Sequence, residues 1–322
     1  MNNSSQVVGI EPCLPGFLAN RPGWTTPVRA EGLAALRIGV GLVLLFDVLV
    51  TYLPFWQSYF GPNSLGGPAV FGRRLQSPHW FFSWARYLPE ENGMYFVLCG
   101  LAVAAAMLAL GVATRWSAAV AWTLTFTVMN ENYYLHNGGD RLRLIMLFLL
   151  IVAPSDATWS LSSWWRSRRE GNEDNSPTFI YPWANNLLIL QMTLLYFMNG
   201  VYKVIGPGWL GGDTLYYVTH DIWWCRWSPD WLPVPFVVTQ VITWGVLAWE
   251  LAFPVLIFSP RWRTLALFFG AMFHIGSGIA MNLGMFPLYA LCLYLPELPW
   301  AMWRERLTGA NIRPQVAWKM RG

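Results

Sequence analysis

The sequence predicts an all-α protein, a polytopic integral membrane bundle of about eight transmembrane helices, within a range of seven to nine. Three observations carry this. Apolar residues make up 55% of the chain and charged residues 12%, about half the ~25% charged share of a soluble domain. Apolar runs near the ~20 residues needed for one crossing recur from residue 33 onward. Tryptophan accounts for 21 of the 322 residues and gathers at the ends of those runs (Trp116, Trp159, Trp164, Trp165, Trp209, Trp223, Trp224, Trp300, Trp303), as an interfacial belt requires.

Residues 1–32 are polar and rich in Pro and Gly. They lack the charged start and apolar core of a cleavable leader, so the first span is expected to be retained. The expected spans are 33–54, 94–112, 116–135, 141–155, 184–205, 233–258, 264–282 and a short one at 285–297. Between them lie 55–93, with Arg73 and Arg74; 159–182, with Arg166, Arg168 and Arg169; and the Trp-rich 206–232. A polar tail occupies 299–322. One transmembrane domain, 33–298, is therefore expected. No repeat of 20–50 residues is visible, and the longest polar segment is too short to bury a core of its own.

Orientation follows from the basic residues. With eight spans and a cytoplasmic N-terminus, inside segments carry 13 Lys and Arg and outside segments 6, the imbalance that the positive-inside rule demands. The predicted location is the cell membrane, with membrane lipid as the first partner. The formal charge of +4 comes mainly from arginines spread over short loops without a basic block. That pattern suits an orientation signal and gives no support to a nucleic-acid partner. Cys13, Cys99, Cys225 and Cys292 stand in four different segments without ligand spacing, and read as packing residues.

The stretch 187–214 commands the chemistry. An apolar helix runs unbroken into Tyr202 and Lys203, then into a turn of Gly, Pro and Trp that contains Trp209. The chain has two lysines, and the other, Lys319, lies in the tail. An ammonium at the centre of a membrane helix costs roughly 2.5–3.5 kcal/mol on insertion scales, so Lys203 is expected to face a pocket or a partner. Two readings of it stand side by side. A dry, apolar surround favours the uncharged amine, which can act as a general base; alternatively, the stem lies in lipid and the amine reaches the interface.

Three spans place unusual groups at one depth on the outer side. The third leads into Asn130, Glu131 and Asn132, then His136 and Asp140; the fifth leaves through Lys203; the seventh passes His274 and ends at Asn282. Ionisable groups in membrane segments mark substrate or proton paths. Lys203 and His274 are thus the candidate catalytic residues. Asn130, Glu131, Asn132, His136, Asp140, Tyr202, Trp209 and Asn282 are candidate substrate-binding residues. His274 lies on a small-residue helix, where a histidine can equally serve as a helix-to-helix hydrogen bond. Asp140 opens the fourth helix and can be either a cap or a site residue. Arg37 and Asp47, about 15 Å apart along one helix, cannot pair with each other, so each needs a partner on another span, with Asp140 or Glu250 as candidates. No His, Cys or carboxylate set has metal-ligand spacing, so no metal is expected. Neither a Ser-His-Asp set nor a phosphate loop can be made out.

Several stretches resemble the HTTM (horizontally transferred transmembrane) family, the membrane domain shared by vitamin K-dependent gamma-carboxylases and many bacterial relatives. They are Leu36-Arg37-Ile38-Gly39 with Asp47; Asn137-Gly138-Gly139-Asp140-Arg141-Leu142 followed by Trp159-Ser160; Tyr196-Phe197 with Gly200-Val201-Tyr202-Lys203 and Trp209; Glu250-Leu251 with Pro254; and Phe273-His274-Ile275-Gly276 with Met281-Asn282-Leu283-Gly284-Met285-Phe286. Together they cover roughly 33–298.

The resemblance implies that Lys203 is the base that deprotonates a lipid-soluble quinol, vitamin K-like or menaquinol. In that family, reaction of the quinol with oxygen makes the stronger base that removes a proton from the substrate, a lyase-type peptide modification. The chain departs from the animal carboxylases where they read Asn-Asn-His, because here Asn130-Glu131-Asn132 stands and His136 follows one helical turn later. The large extracytoplasmic domain that holds protein substrates in those enzymes is also expected to be missing. Two functions are therefore open. One is a carboxylase-like membrane enzyme acting on a secreted peptide or a small acid; the other is a non-catalytic membrane partner in peptide-toxin maturation or export.

Overall fold

The chain is described by a computed structural model that covers residues 27–61, 64, 83–89, 91–171, 178–228, 230–231, 233–300 and 303. Cys13, Arg73, Arg74 and nearly all of the polar tail lie outside the described residues.

Apolar periodicity builds the first helix, α1 (Glu31–Asp47). Leu33, Leu36, Val40 and Leu44 fall on one stripe and are fully buried. The next turn, Val48–Tyr52, is wider, and Leu53 N–H donates to the carbonyl of Val48, five residues back, at 2.8 Å. After the short α2 (Trp56–Phe60) come α3 (Gly93–Leu110), α4 (Thr114–Glu131) and α5 (Gly138–Val152), then the nine-residue α6 (Leu161–Arg169). The second half consists of α7 (Trp183–Ile205), α8 (Thr214–His220), α9 (Phe236–Phe258), α10 (Arg263–Ala280) and α11 (Phe286–Cys292). A two-residue ribbon pairs β1 (Val28–Arg29) antiparallel with β2 (Phe179–Ile180).

The helices alternate between two ends of the bundle. At one end lie the β1–β2 ribbon, the Ser162 hydroxyl donating to Gly111 O at 2.8 Å, the Trp159–Trp300 ring pair and the Arg263–Glu297 ion pair. At the other, Asn132 Nδ2 donates to Tyr59 O at 2.7 Å, Arg226 N–H to Ala280 O at 3.0 Å and Asn282 N–H to Trp224 O at 2.8 Å.

Among the described residues, five helical stretches are long and apolar enough to cross a membrane: Glu31–Tyr52, Gly93–Leu110, Trp183–Ile205, Phe236–Phe258 and Arg263–Ala280. The other expected crossings differ for identifiable reasons. Helix α4 carries Ser117, Thr123, Thr125 and Thr127 along its length, and α5 has 15 residues and starts on Gly-Gly-Asp-Arg. Helix α11 has seven residues, about 10 Å of rise against a ~30 Å hydrocarbon layer. The chain continues from it through a turn into a 3₁₀ segment, Leu295–Glu297.

Arg37 corrects the expectation of a carboxylate partner. It is fully buried, and its guanidinium donates to four backbone carbonyls: Leu108 and Ala109 at 2.9 Å each, Ser155 at 3.1 Å and Trp159 at 2.5 Å. The last carbonyls of a helix have no intrahelical partner, and a planar group with five donors satisfies several at once. Asp47 does find a charged partner on another helix, Arg143 at 3.0 Å, with a further bond from Tyr289 Oη at 3.1 Å.

Candidate functional site

Lys203 sits in the last turn of α7, and its side chain crosses to α9, where Nζ donates to Glu250 Oε1 at 2.5 Å. The lysine side chain is 18% exposed and the glutamate 2%, so the ammonium turns toward the protein. Gly200 permits this approach. A Cβ there would lie 2.9 Å from Leu251 Cδ2 and 3.3 Å from Glu250 Cβ, and Gly200 shares the face of Lys203 three residues on. The ammonium also lies 4.3 Å from the Trp209 ring centroid and 5.8 Å from that of Phe273, cation–π distances.

The turn that carries Trp209 is tied down on α9. Trp244 Nε1 donates to Leu210 O at 3.0 Å and Gln240 Nε2 to Gly211 O at 3.2 Å. Gly212, with φ of +81°, passes so close that a Cβ would meet the Trp244 ring at 2.9 Å, which only glycine tolerates. The Gly-Pro-Gly-Trp-Leu-Gly-Gly sequence is thus a device for laying Trp209 against Lys203.

His274 extends the same cluster. It is 1% exposed, and its Nε2 is 2.7 Å from Tyr196 Oη, which in turn bonds Tyr294 Oη. Tyr196, Gly200 and Lys203 fall at i, i+4 and i+7 on α7, one face of one helix. Trp249 and Phe253 of α9 pack on the Tyr196 ring with centroids 4.5 and 4.6 Å away. Phe273 joins the halves, since its ring lies under the Lys203 ammonium and 5.1 Å from the His274 ring. Two buried polar atoms in this cluster, Glu250 Oε2 and His274 Nδ1, have no hydrogen-bond partner among the described residues.

The other expected site residues are distributed around this centre. The Asn137–Asp140 turn reaches it at one remove, because a Cβ on Gly138 would lie 3.2 Å from Phe286, whose ring is 5.6 Å from that of His274. Asp140 has two tasks: it accepts from Asn137 N–H at 2.8 Å in a capping box and pairs with Arg143 at 2.8 Å. Asn132 is buried against Tyr59 O, Glu131 bonds the Ser83 hydroxyl and His136 bonds Met129 O. Asn130 lies in the last turn of α4, partly buried. Asn282 is held to the 223–225 loop through its backbone bond to Trp224 O, and Tyr202, expected beside Lys203, is 67% exposed. A shallow hollow of about 380 Å³ follows the Lys203 helix, lined by Pro207, Gly208, Asp213, Thr214, Tyr217 and Val218.

Sequence reasoning did not pair Glu250 with Lys203 and did not place Tyr196, Phe273 or Tyr294 in the site. A signal for the pair was present. Lys203 is the one charged residue of 184–205 and Glu250 that of 233–258, and lone opposite charges on two apolar helices are stabilised by meeting. For Tyr196 the signal was the seven-residue spacing to Lys203.

Apolar helices of crossing length around a partly buried lysine–glutamate pair define a multi-pass membrane protein with a polar cluster between its helices. The chain belongs to the HTTM family: the HTTM domain model matches residues 25–296, most of the chain and all of the cluster. That places it among membrane proteins related to the vitamin K-dependent carboxylases. No curated protein and no solved structure matches the chain.

Proposed function

We propose that this protein is a carboxylase-like integral membrane enzyme that uses a lipid-soluble quinol and Lys203 to modify a secreted peptide or a small acid. The observation that carries the reading is the turn of Lys203 toward the protein, into a cluster shared with Glu250, Trp209, Phe273 and His274. A quinol, vitamin K-like or menaquinol, suits this donor set, because Glu250 Oε2 and His274 Nδ1 are buried without a hydrogen-bond partner among the described residues. When bound, the quinol supplies the reducing equivalents for dioxygen. The protein's own share is proton handling. Lys203 accepts a hydroxyl proton as the neutral amine, and Glu250 stabilises the ammonium that results. Tyr196 holds His274 oriented beside it.

Purified protein supplied with menaquinol should consume oxygen and oxidise the quinol faster than the same membrane extract lacking it, and a quinone should co-purify. Protein of wild-type abundance that neither retains a quinone nor accelerates oxidation would remove the quinol from the reading. The non-catalytic alternative, a docking partner for peptide maturation or export, is favoured by the same Lys203–Glu250 bond, because a closed ion pair is also what a structural lock needs.

The proposal includes topology. Eight segments cross the cell membrane, the eighth formed by α11 together with the 3₁₀ turn beyond it, and the N-terminus is cytoplasmic. Support comes from the alternation of the helices between two ends, with Arg115, Arg166, Arg168, Arg169 and Arg263 at the end proposed as cytoplasmic. With the native cysteines replaced, Ser228→Cys should react with a membrane-impermeant maleimide on intact cells, and Ser167→Cys only after lysis. Labelling of Ser167→Cys on intact cells would reverse the orientation.

A further inference from the structure

We propose that α6 is a surface helix that binds anionic phospholipid headgroups at the bundle end where the first helix begins. Its residues divide by face. On a 100° wheel Leu161, Trp164, Trp165 and Arg168 fall together, while Ser162 and Ser163 take the opposite side. The serine side is used by the protein: Ser160 and Ser163 cap the helix reciprocally, and the Ser162 backbone N–H and hydroxyl both donate to Gly111 O, at 3.2 and 2.8 Å. Arg166 is likewise committed, at 3.0 Å from Asp156.

What remains turns away from the protein. No residue of α6 is buried, and Trp164 and Trp165 are 47% and 51% exposed. The Arg168 guanidinium stacks 4.2 Å over the Trp164 ring, which leaves its N–H edges free. Neither Arg168 nor Arg169 has a carboxylate partner among the described residues. The Gly111–Ser162 bonds hold α6 against the α3–α4 turn, where Arg115 and the 77%-exposed Trp116 follow.

A helix with tryptophans on one side and free arginines at its C-terminal end lies in the interfacial plane, rings at the acyl boundary and cations at the headgroups. The ligand chemistry is a phosphodiester carrying net negative charge, which the guanidinium fork can bond bidentately. A zwitterionic headgroup offers the same phosphate with its charge cancelled, so selectivity rests on charge as well as geometry.

The test uses full-length protein purified in mild detergent from membranes containing phosphatidylglycerol and phosphatidylethanolamine. Co-purified lipid is measured by mass spectrometry, and thermal stability is measured with added phosphatidylglycerol, phosphatidylethanolamine or inorganic phosphate. Wild type should be enriched in phosphatidylglycerol and stabilised by it, and inorganic phosphate should do neither. Arg168→Gln/Arg169→Gln should lose the enrichment, by about fivefold per arginine near an anionic surface. Arg141→Gln/Arg226→Gln makes the same charge change at the opposite end and should retain it. Equal enrichment in the α6 variant and wild type, or equal loss in both variants, would overturn the proposal.

Discussion

Lys203→Arg should reach the membrane at wild-type abundance and lose turnover by about 10²–10⁴-fold, the usual worth of a general base. The guanidinium keeps the charge and can still meet Glu250, so the fold retains its ion pair. It stays protonated at any biological pH and cannot accept a proton. Lys203→Met behaves differently because of what surrounds the lysine. Glu250 is 2% exposed, and removing its partner strands a buried carboxylate, a loss of about 3–5 kcal/mol. The Met variant should therefore fall in abundance as well as activity, and Lys203→Met/Glu250→Gln should recover abundance alone. Quinol oxidation measured beside immunoblotted membrane levels separates these outcomes. A fully active Lys203→Arg protein would refute the general base and leave the pair as a lock between α7 and α9.

Arg143→Met should give the largest loss of stability. Arg143 is 1% exposed and joins Asp47 of α1 at 3.0 Å to Asp140 of α5 at 2.8 Å, with Tyr52 and Tyr289 ring centroids 5.8 and 5.7 Å from its guanidinium. Its removal leaves two carboxylates facing each other without a cation. At about 3–5 kcal/mol for breaking a buried pair, the cost approaches the ~5–15 kcal/mol that holds a typical domain together. The variant is expected to lose its cooperative thermal transition in detergent and its monodisperse elution. Asp47→Asn/Asp140→Asn in the same chain should restore much of both, since neutral amides need no counter-charge. A single Arg143→Met protein that melts at the wild-type temperature would contradict the lock.

The glutamate that faces Lys203 illustrates how far the sequence reached. Hydropathy identified the helices α1, α3, α7, α9 and α10, because a bilayer demands an apolar length that composition reports directly. The short span expected at 285–297 consists of seven helical residues, a turn and a 3₁₀ segment in place of one continuous helix. Residue rarity in an apolar run singled out Lys203 and His274, and the tertiary structure brings both to one aromatic cluster. Trp209 joined them as expected, whereas Glu131 bonds the Ser83 hydroxyl, Asn132 bonds Tyr59 O on α2 and His136 bonds Met129 O.

The sequence by itself determined the solvent of this protein, its helical class and its family, and it singled out Lys203 as the candidate site, because each is written in composition, run length or local order. Tertiary structure alone decided the partners. Glu250 lies 47 residues from Lys203, Tyr196 lies 78 from His274 and Asp47 lies 96 from Arg143. Such distances close only when helices choose their neighbours, and that choice depends on side-chain packing and on gaps such as Gly200, which no local periodicity encodes.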